Sequence, residues 1–175
     1  MNLKAMNMFL SEDNIKKHLE HLRNQKLRYS ILEKSVPELK GKTINEIYRM
    51  PLSRDIKDEA LCLLWYIRSH ETFFDSFTDH PKKSETVEKN FSSRERLIYD
   101  IFLKAKEKNC GFLYVYNDRQ GLTRITFSEK NDGAYLSFEP ALCIDLYEHT
   151  YFSDYGFKKE SFLRGALGYL DTGRL

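Results

Sequence analysis

Apolar residues recur at roughly helical spacing in two long stretches of the first half of the chain. One stretch lies between Ser11 and Pro37, and the other covers residues 55–77. This period predicts two long amphipathic helices, the first capped by Ser11 and ended before Pro37. Thr43 and Glu46 have the spacing of a capping box and predict a short helix between them. Because the two long helices follow each other closely, we expect them to form a helical hairpin.

After this hairpin the pattern changes twice. Residues 79–90 are polar and contain Pro81, which predicts a linker between an N-terminal helical domain, residues 1–78, and a C-terminal domain, residues 91–175. Ser92 or Ser93 can cap a further helix that ends near residue 108.

The period then shortens to two residues, as in strands. Short runs of apolar and aromatic residues alternate with turn residues, among them Asn131, Asp132 and Gly133, which are typical of a hairpin turn. A helix over residues 159–171 ends the chain. These elements predict an α+β fold, with an N-terminal helical hairpin and a C-terminal part built on a three-stranded antiparallel sheet. The three predicted strands cover residues 112–116, 124–127 and 141–146.

Composition narrows the function classes. Hydrophobic residues make up 41% of the 175 residues, enough for a globular core, and no apolar run is long enough to span a membrane. A net charge of +2 gives no basic surface for nucleic acid. The three cysteines, Cys62, Cys110 and Cys143, are an odd number without a paired spacing, so we expect buried free thiols and a cytoplasmic, soluble protein.

Three histidines and one aspartate are the candidate metal ligands. His18 and His70 lie on the two long predicted helices, and Asp145 and His149 bracket the end of the last predicted strand. Imidazole and carboxylate are donors that manganese, iron and zinc accept. On spacing alone, structural hydrogen-bonded or exposed histidines explain the pattern as well, and a zinc site at His18 and His21 is a further alternative.

The residues around these positions resemble the ligand motifs of the iron/manganese superoxide dismutases. Residues 10–18 are similar to the first ligand helix of that family, and residues 69–75 to its second ligand motif. Residues 145–155 match its D-x-W-E-H-A-Y-Y-x-D-Y signature, with Tyr147 in place of tryptophan. The order of the predicted elements is also that of the family, and the resemblance covers residues 9–171.

This resemblance implies a function and a set of residues. His18, His70, Asp145 and His149 would bind one iron or manganese ion per chain, which would convert superoxide to O2 and H2O2. Glu148 would reach a ligand histidine across a two-fold interface, so a homodimer is implied.

Two positions depart from the family pattern and are candidate catalytic residues. Lys26 stands where the family has a gateway tyrosine, and Tyr66 stands one turn before His70, where iron enzymes have a glutamine. Tyr66 could donate its phenolic proton to the solvent ligand or simply pack between helices. Lys26 could attract the superoxide anion. The changes imply reduced activity, and a catalytically inactive relative with a structural metal or an interaction role is the alternative.

Overall fold

In a computed structural model of the protein, residues 1–129 and 138–175 are described. This part of the chain contains eight α-helices and three β-strands, which confirms the predicted α+β fold class. Single 3₁₀ turns lie at Pro37–Leu39 and Thr172–Arg174. The helices are α1 (Leu3–Met6), α2 (Glu12–Ser35), α3 (Ile44–Arg49), α4 (Arg54–Asp75), α5 (Glu85–Phe91), α6 (Arg94–Lys106), α7 (Glu148–Tyr155) and α8 (Lys159–Gly168), and the strands are β1 (Phe112–Asn117), β2 (Thr123–Ser128) and β3 (Leu142–Asp145).

The helical hairpin forms as its sequence predicts. The Ser11 hydroxyl accepts a hydrogen bond from the Asn14 N–H at 3.2 Å and so begins α2. Thr43 and Glu46 make the full capping box that begins α3, with each side chain accepting from the backbone N–H of the other residue. Helices α2 and α4 pack against each other along the hairpin, which brings their inward-facing histidines close together.

The sheet has the order β2-β1-β3, and both pairings are antiparallel. In this register Phe112, at the start of β1, lies opposite Asp145, at the end of β3. The preceding Gly111 has φ of +119°, and a Cβ atom there would lie 2.5 Å from the Ser128 carbonyl oxygen. Only glycine fits at this position, so it fixes how the chain enters the sheet beside Asp145.

One large core joins the hairpin to the sheet. Strand β3 is buried along its whole length and packs on α4. Trp65 of α4, Phe112 of β1 and Phe162 of α8 all belong to this core. A second, smaller core fills the far end of the hairpin beneath α3. The candidate metal ligands therefore lie where the hairpin meets the sheet, in the better buried part of the molecule.

Some expectations need correction. Residues 85–91 form helix α5, capped by Ser84, within the stretch expected to be a linker. A single buried apolar side chain, that of Val87, anchors this short helix to the core. The division into two domains stays a prediction. Of the cysteines, Cys143 is buried, but Cys62 is exposed and Cys110 is half-buried. The hairpin turn expected at residues 131–133 lies outside the described residues. Among the helices of the described part, none has both the length and the apolar character needed to cross a bilayer.

Candidate metal centre

Four different elements bring His18, His70, Asp145 and His149 together. His18 comes from α2, His70 from α4, Asp145 from the end of β3 and His149 from the first turn of α7. Each offers one ligand atom, and these four atoms lie within 4.8 Å of one another. The structure thus collects all four residues that the sequence marked as candidate ligands.

The ligand atoms point at a common centre. The Oδ2 atom of Asp145 lies 3.2 Å from Nε2 of His18 and 3.2 Å from Nε2 of His149. Nε2 of His70 lies 3.4 Å from the same oxygen and 3.3 Å from Nε2 of His149. Atoms that share one metal ion at about 2.0–2.2 Å lie roughly 3 Å or slightly more from each other. The spacing suits a single ion.

Buried polar atoms without a hydrogen bond support this fit. Nε2 of His18 and Oδ2 of Asp145 are buried and make no hydrogen bond within the described residues, although they lie 3.2 Å apart. A buried carboxylate oxygen and imidazole nitrogen left unpaired are costly. A cation placed among them removes that cost, so the donor set fits a metal better than it fits a hydrogen-bonded core.

Hydrogen bonds on the far side of two ligands fix their orientation. Nδ1 of His70 lies 2.7 Å from the carbonyl oxygen of Tyr66, so this nitrogen carries the proton and Nε2 keeps its lone pair. Oδ1 of Asp145 accepts from the backbone N–H of Tyr147 at 2.9 Å, which turns Oδ2 toward the imidazoles. Outer contacts of this kind hold metal ligands in place in proteins generally.

A second set of bonds joins the helices that carry His18 and His149. The Asn14 amide donates to the Thr150 carbonyl and to the Asp154 carboxylate, each at 3.0 Å. Asp154 also accepts from the Ser11 backbone N–H at 2.8 Å. Since Asn14 is one turn before His18, these bonds set the distance between the start of α2 and helix α7. Neither Asn14 nor Asp154 was among the candidate site residues predicted from the sequence.

Burial and mutual proximity shift the titration of all four groups. Burial lowers the pKa of His18 and lowers that of His70 to about 4. For Asp145 burial alone would raise the pKa, but the imidazoles of His149 and His18 outweigh it and hold the pKa well below its ordinary value. Burial would lower the pKa of His149, yet the nearby Asp145 carboxylate raises it. The neutral forms of His18 and His70 and the ionised form of Asp145 are the forms that bind cations.

Within the described residues, the only exposed part of the ligand cluster belongs to His149. The side chains of His18, His70 and Asp145 are fully buried, whereas 33% of the His149 side chain is exposed. His149 borders a cavity of about 330 Å³ between α2 and α4, which we call the His149 cavity. It is lined mainly by His21, Arg28, Glu59, Cys62, Tyr66, Tyr147 and His149.

Tyr66 lines this cavity and begins a chain of hydrogen-bonded hydroxyl groups. Its hydroxyl donates to the Tyr147 hydroxyl at 3.1 Å, and Tyr147 donates in turn to the Glu129 carbonyl at 2.7 Å. Because a phenol has a single proton to donate, this arrangement commits the Tyr66 proton to Tyr147. The Tyr66 ring also stacks near the His70 ring, with 6.1 Å between centroids. Tyr66 is therefore beside the ligands, with its proton directed to a neighbouring phenol.

Lys26 lies on another surface of the hairpin. Its ammonium pairs with Glu71 at 2.7 Å, and it borders a separate cavity of about 500 Å³, here the Lys26 cavity. Phe74 and Leu22 border this cavity as well, and the Phe74 ring lies 4.9 Å from the His18 ring. Buried apolar side chains thus separate Lys26 from the ligand atoms.

Glu148 is exposed at the start of α7, next to His149, where it is free to meet another molecule.

His21 and Arg28 are residues of the His149 cavity that the sequence analysis did not place there. The His21 ring lies 4.6 Å from the His149 ring and 5.2 Å from the His70 ring, between centroids. The signal was present in the sequence, because His18, His21, Gln25 and Arg28 are spaced three, four and three residues apart, as on one side of a helix.

Comparison with known proteins agrees with this site. A family model for iron/manganese superoxide dismutases, C-terminal domain, matches residues 79–171, which include Asp145 and His149. His18 and His70 precede the matched segment. A search of curated proteins found no match to the chain.

Proposed function

Since the chain belongs to the iron/manganese superoxide dismutase family, we propose that it binds one iron or manganese ion and dismutates superoxide. One observation carries the proposal: three imidazole nitrogens and a carboxylate oxygen converge in a buried site. In a metal-free role the same positions would be better filled by apolar residues, because unpaired buried polar atoms destabilise a core. His18, His70, Asp145 and His149 are the proposed ligands.

The chain's own residues would prepare the centre for this chemistry. A redox metal bound here would supply one-electron steps, taking an electron from one superoxide to give O2 and passing it to a second, which leaves as H2O2 with two protons. The Asp145 carboxylate would offset part of the positive charge of an ion held by these four residues. The Tyr66 carbonyl holds the His70 ring in place, and Phe73, Phe74 and Phe112 pack against the ligand rings and exclude water.

We further propose that turnover is weaker than is usual in this family. The position of Tyr66 resembles that of a glutamine in iron enzymes, and its proton is directed to Tyr147. Hydrogen bonds near a metal tune both its potential and the acidity of its solvent ligand. The same observation favours the second candidate, a relative that keeps the metal for structure or interaction and does not turn over superoxide.

Glu148 is the basis of a proposed two-fold dimer. It is exposed beside His149, where the family resemblance puts an acid that contacts the partner's ligand histidine. Glu148→Ala should weaken both dimerisation and metal retention. Light scattering at high protein concentration measures the first and elemental analysis the second, and a strictly monomeric wild type would contradict the proposal.

Metal analysis tests the proposed function most directly. Protein expressed with iron or manganese supplied should contain close to one ion per chain, and His70→Ala should contain almost none. His80→Ala is the matched control, because the His80 side chain is 86% exposed and is not part of the cluster. The absence of a transition metal from wild type would sink the proposal.

A superoxide assay on the metal-loaded protein then separates the two candidates. Turnover that depends on His70 supports the dismutase. Metal-loaded wild type with a rate no higher than the free ion supports the inactive relative. Rates typical of the family would show that Tyr66 does not limit turnover.

A further inference from the structure

The two edges of the sheet are closed to different extents. Strand β3, at one edge, is buried along its whole length, and the backbone N–H of Cys143 donates to the Ser76 hydroxyl of α4 at 2.7 Å. Strand β2, at the other edge, pairs with β1 and with no further strand among residues 1–129 and 138–175. A strand edge with unpaired backbone groups can accept another strand, so the open edge is that of β2.

The register of β1 and β2 fixes which backbone groups of β2 face outward. Just beyond the paired strands, the Asp118 N–H donates to the Leu122 carbonyl at 2.9 Å. Bonded and non-bonded pairs alternate in an antiparallel ladder, so every second residue of β2 from there is bonded to β1, namely Arg124, Thr126 and Ser128. The residues between them direct their backbone N–H and C=O groups away from β1, and these are Thr123, Ile125 and Phe127.

Lys104 of α6 covers only part of this edge. Its ammonium donates to the Ile125 carbonyl at 3.1 Å, which agrees with the outward direction of that group. The Ile125 N–H and both backbone groups of Phe127 have no hydrogen-bond partner in the described part of the chain. A strand that binds here must donate to the Ile125 carbonyl itself, so the ammonium loses its acceptor and needs an acidic group in exchange.

A groove of about 520 Å³ follows the edge between β2 and the helices α5 and α6. One wall is β2, and the other is formed by helix residues, which are Phe91, Asp100, Leu103 and Lys104. Asp100 is paired with Arg96 at 3.3 Å. Arg124, on the β2 side, is paired with Asp118 at 2.8 Å. Lys104 is thus the cation of the groove that a ligand can neutralise.

We propose that the edge of β2 binds an extended acidic segment of a partner protein, which adds to the sheet as a further strand. Backbone hydrogen bonds to Ile125 and Phe127 provide affinity, as in other cases of strand addition. Phe91 and Leu103 contact the apolar side chains of the segment, and Lys104 pairs with its carboxylate. Because α5 and α6 stand beside the edge, the groove suits one extended chain better than the sheet of a second copy. This binding needs no metal ion.

Hydrogen exchange of the free protein, followed by NMR, tests whether the edge is open. The N–H groups of Ile125 and Phe127 should exchange at least about tenfold faster than those of Arg124 and Thr126, which are bonded to β1. Equal protection of the two sets would overturn the proposal, because the edge would already be covered. Protection of Ile125 and Phe127 that rises with protein concentration would also overturn it, since a second copy would then occupy the edge.

Model peptides test the occupant. The probe is the acetylated peptide amide Val-Glu-Val-Thr-Val-Thr, which should bind and slow the exchange of the Ile125 and Phe127 N–H groups. Alternate residues of a strand direct their backbone groups to opposite sides. Methylation of the backbone nitrogens of one alternate set should therefore abolish binding, and methylation of the other set should not. Failure of the unmethylated probe to bind at about 1 mM would overturn the proposal, as would equal binding of both methylated forms.

Variants of the lysine test the preference for an acid. Lys104→Gln should weaken binding of the probe by about threefold at low salt and leave unchanged the binding of a peptide with glutamine in place of glutamate. Lys106→Gln is the matched control, because Lys106 is exposed on the same helix and does not border the groove. If Lys104→Gln causes self-association and leaves the affinity for the probe unchanged, the lysine only protects the edge, and recognition of an acidic segment is excluded.

Discussion

The His149 cavity and the Lys26 cavity lie on the same helical hairpin, but they differ in what they offer an incoming ligand. The first is bordered by the candidate ligand His149 and by Arg28, which has no ion-pair partner among the described residues. The second is closed off from the cluster by Phe74 and Leu22, and two of its cations are paired, Lys26 with Glu71 and Arg68 with Glu139. A charge that is neutralised by a close partner contributes less to the potential around a cavity than an unpaired one.

The largest expected effect comes from removing the wall between the Lys26 cavity and the cluster. Phe74 is 2% exposed and packs against the His18 ring, so Phe74→Ala should lower the free energy of unfolding by about 3–5 kcal/mol. Urea denaturation measures this loss. Leu27→Ala is the control, because Leu27 is 58% exposed on the same hairpin and its loss should cost less than about 0.5 kcal/mol. A cost below about 1 kcal/mol for Phe74→Ala would show that the ring does not form such a wall.

A change at Tyr66, which lines the His149 cavity, should affect turnover. Tyr66→Gln puts an amide one turn before His70 and should raise the superoxide rate of metal-loaded protein by about tenfold, as changes of outer hydrogen bonds do at metal sites. Tyr66→Phe is the control, since it removes the hydroxyl without adding an amide and should not raise the rate. Equal superoxide rates for the two variants would show that an amide at position 66 does not tune the metal centre.

Stability measurements sharpen the comparison further. Tyr147→Phe leaves the Tyr66 hydroxyl and the Glu129 carbonyl without their partner, which should cost about 1–2 kcal/mol. Lys26→Gln breaks an ion pair whose two side chains are 51% and 40% exposed, so its cost should stay below about 1 kcal/mol. Chemical denaturation measures the free energy of unfolding of both variants. A larger loss for Lys26→Gln than for Tyr147→Phe would contradict this prediction.

The smallest effect is expected at the N-terminal segment, where Lys4 and Asn2 contact Asp79. Hydrogen bonds from Lys4 and Asn2 lower the pKa of Asp79 from 3.8 to about 2. The carboxylate therefore stabilises the fold above about pH 4, and this contribution is lost as the pH falls toward 2. Asp79→Asn should lower Tm by about 1–3 °C at pH 6, and the difference from wild type should vanish near pH 2.

A double variant checks the origin of that effect. Combining Asp79→Asn with Lys4→Gln should cost no more than the larger of the two single changes, because both remove the same contact. Additive losses would mean that Asp79 stabilises the protein through other groups.

Much of the fold followed from local pattern. The caps at Ser11 and Thr43, the apolar run of β1 and the alternation in β2 act over a few residues, so the sequence predicted these elements directly. Helix α5 was missed, because a short polar helix depends on its packing through Val87 and on the Ser84 cap more than on periodicity. The exposure of Cys62 was also missed, since apolar neighbours on a helix do not tell which side faces the core.

The sequence by itself determined the four candidate ligands, because each lies in a short motif that can be recognised from neighbouring residues alone. It also contained the helical stripe from His18 to Arg28, which fixed that His21 and Arg28 share a side of α2. Only the tertiary structure decided that this side of α2 borders the His149 cavity, while Lys26 borders the other cavity. That choice depends on how α4 and the chain around Tyr147 pack on α2, and on the Glu71 carboxylate that neutralises Lys26. This packing depends on contacts between residues that are distant in sequence, and the local hydrophobic period does not encode such contacts.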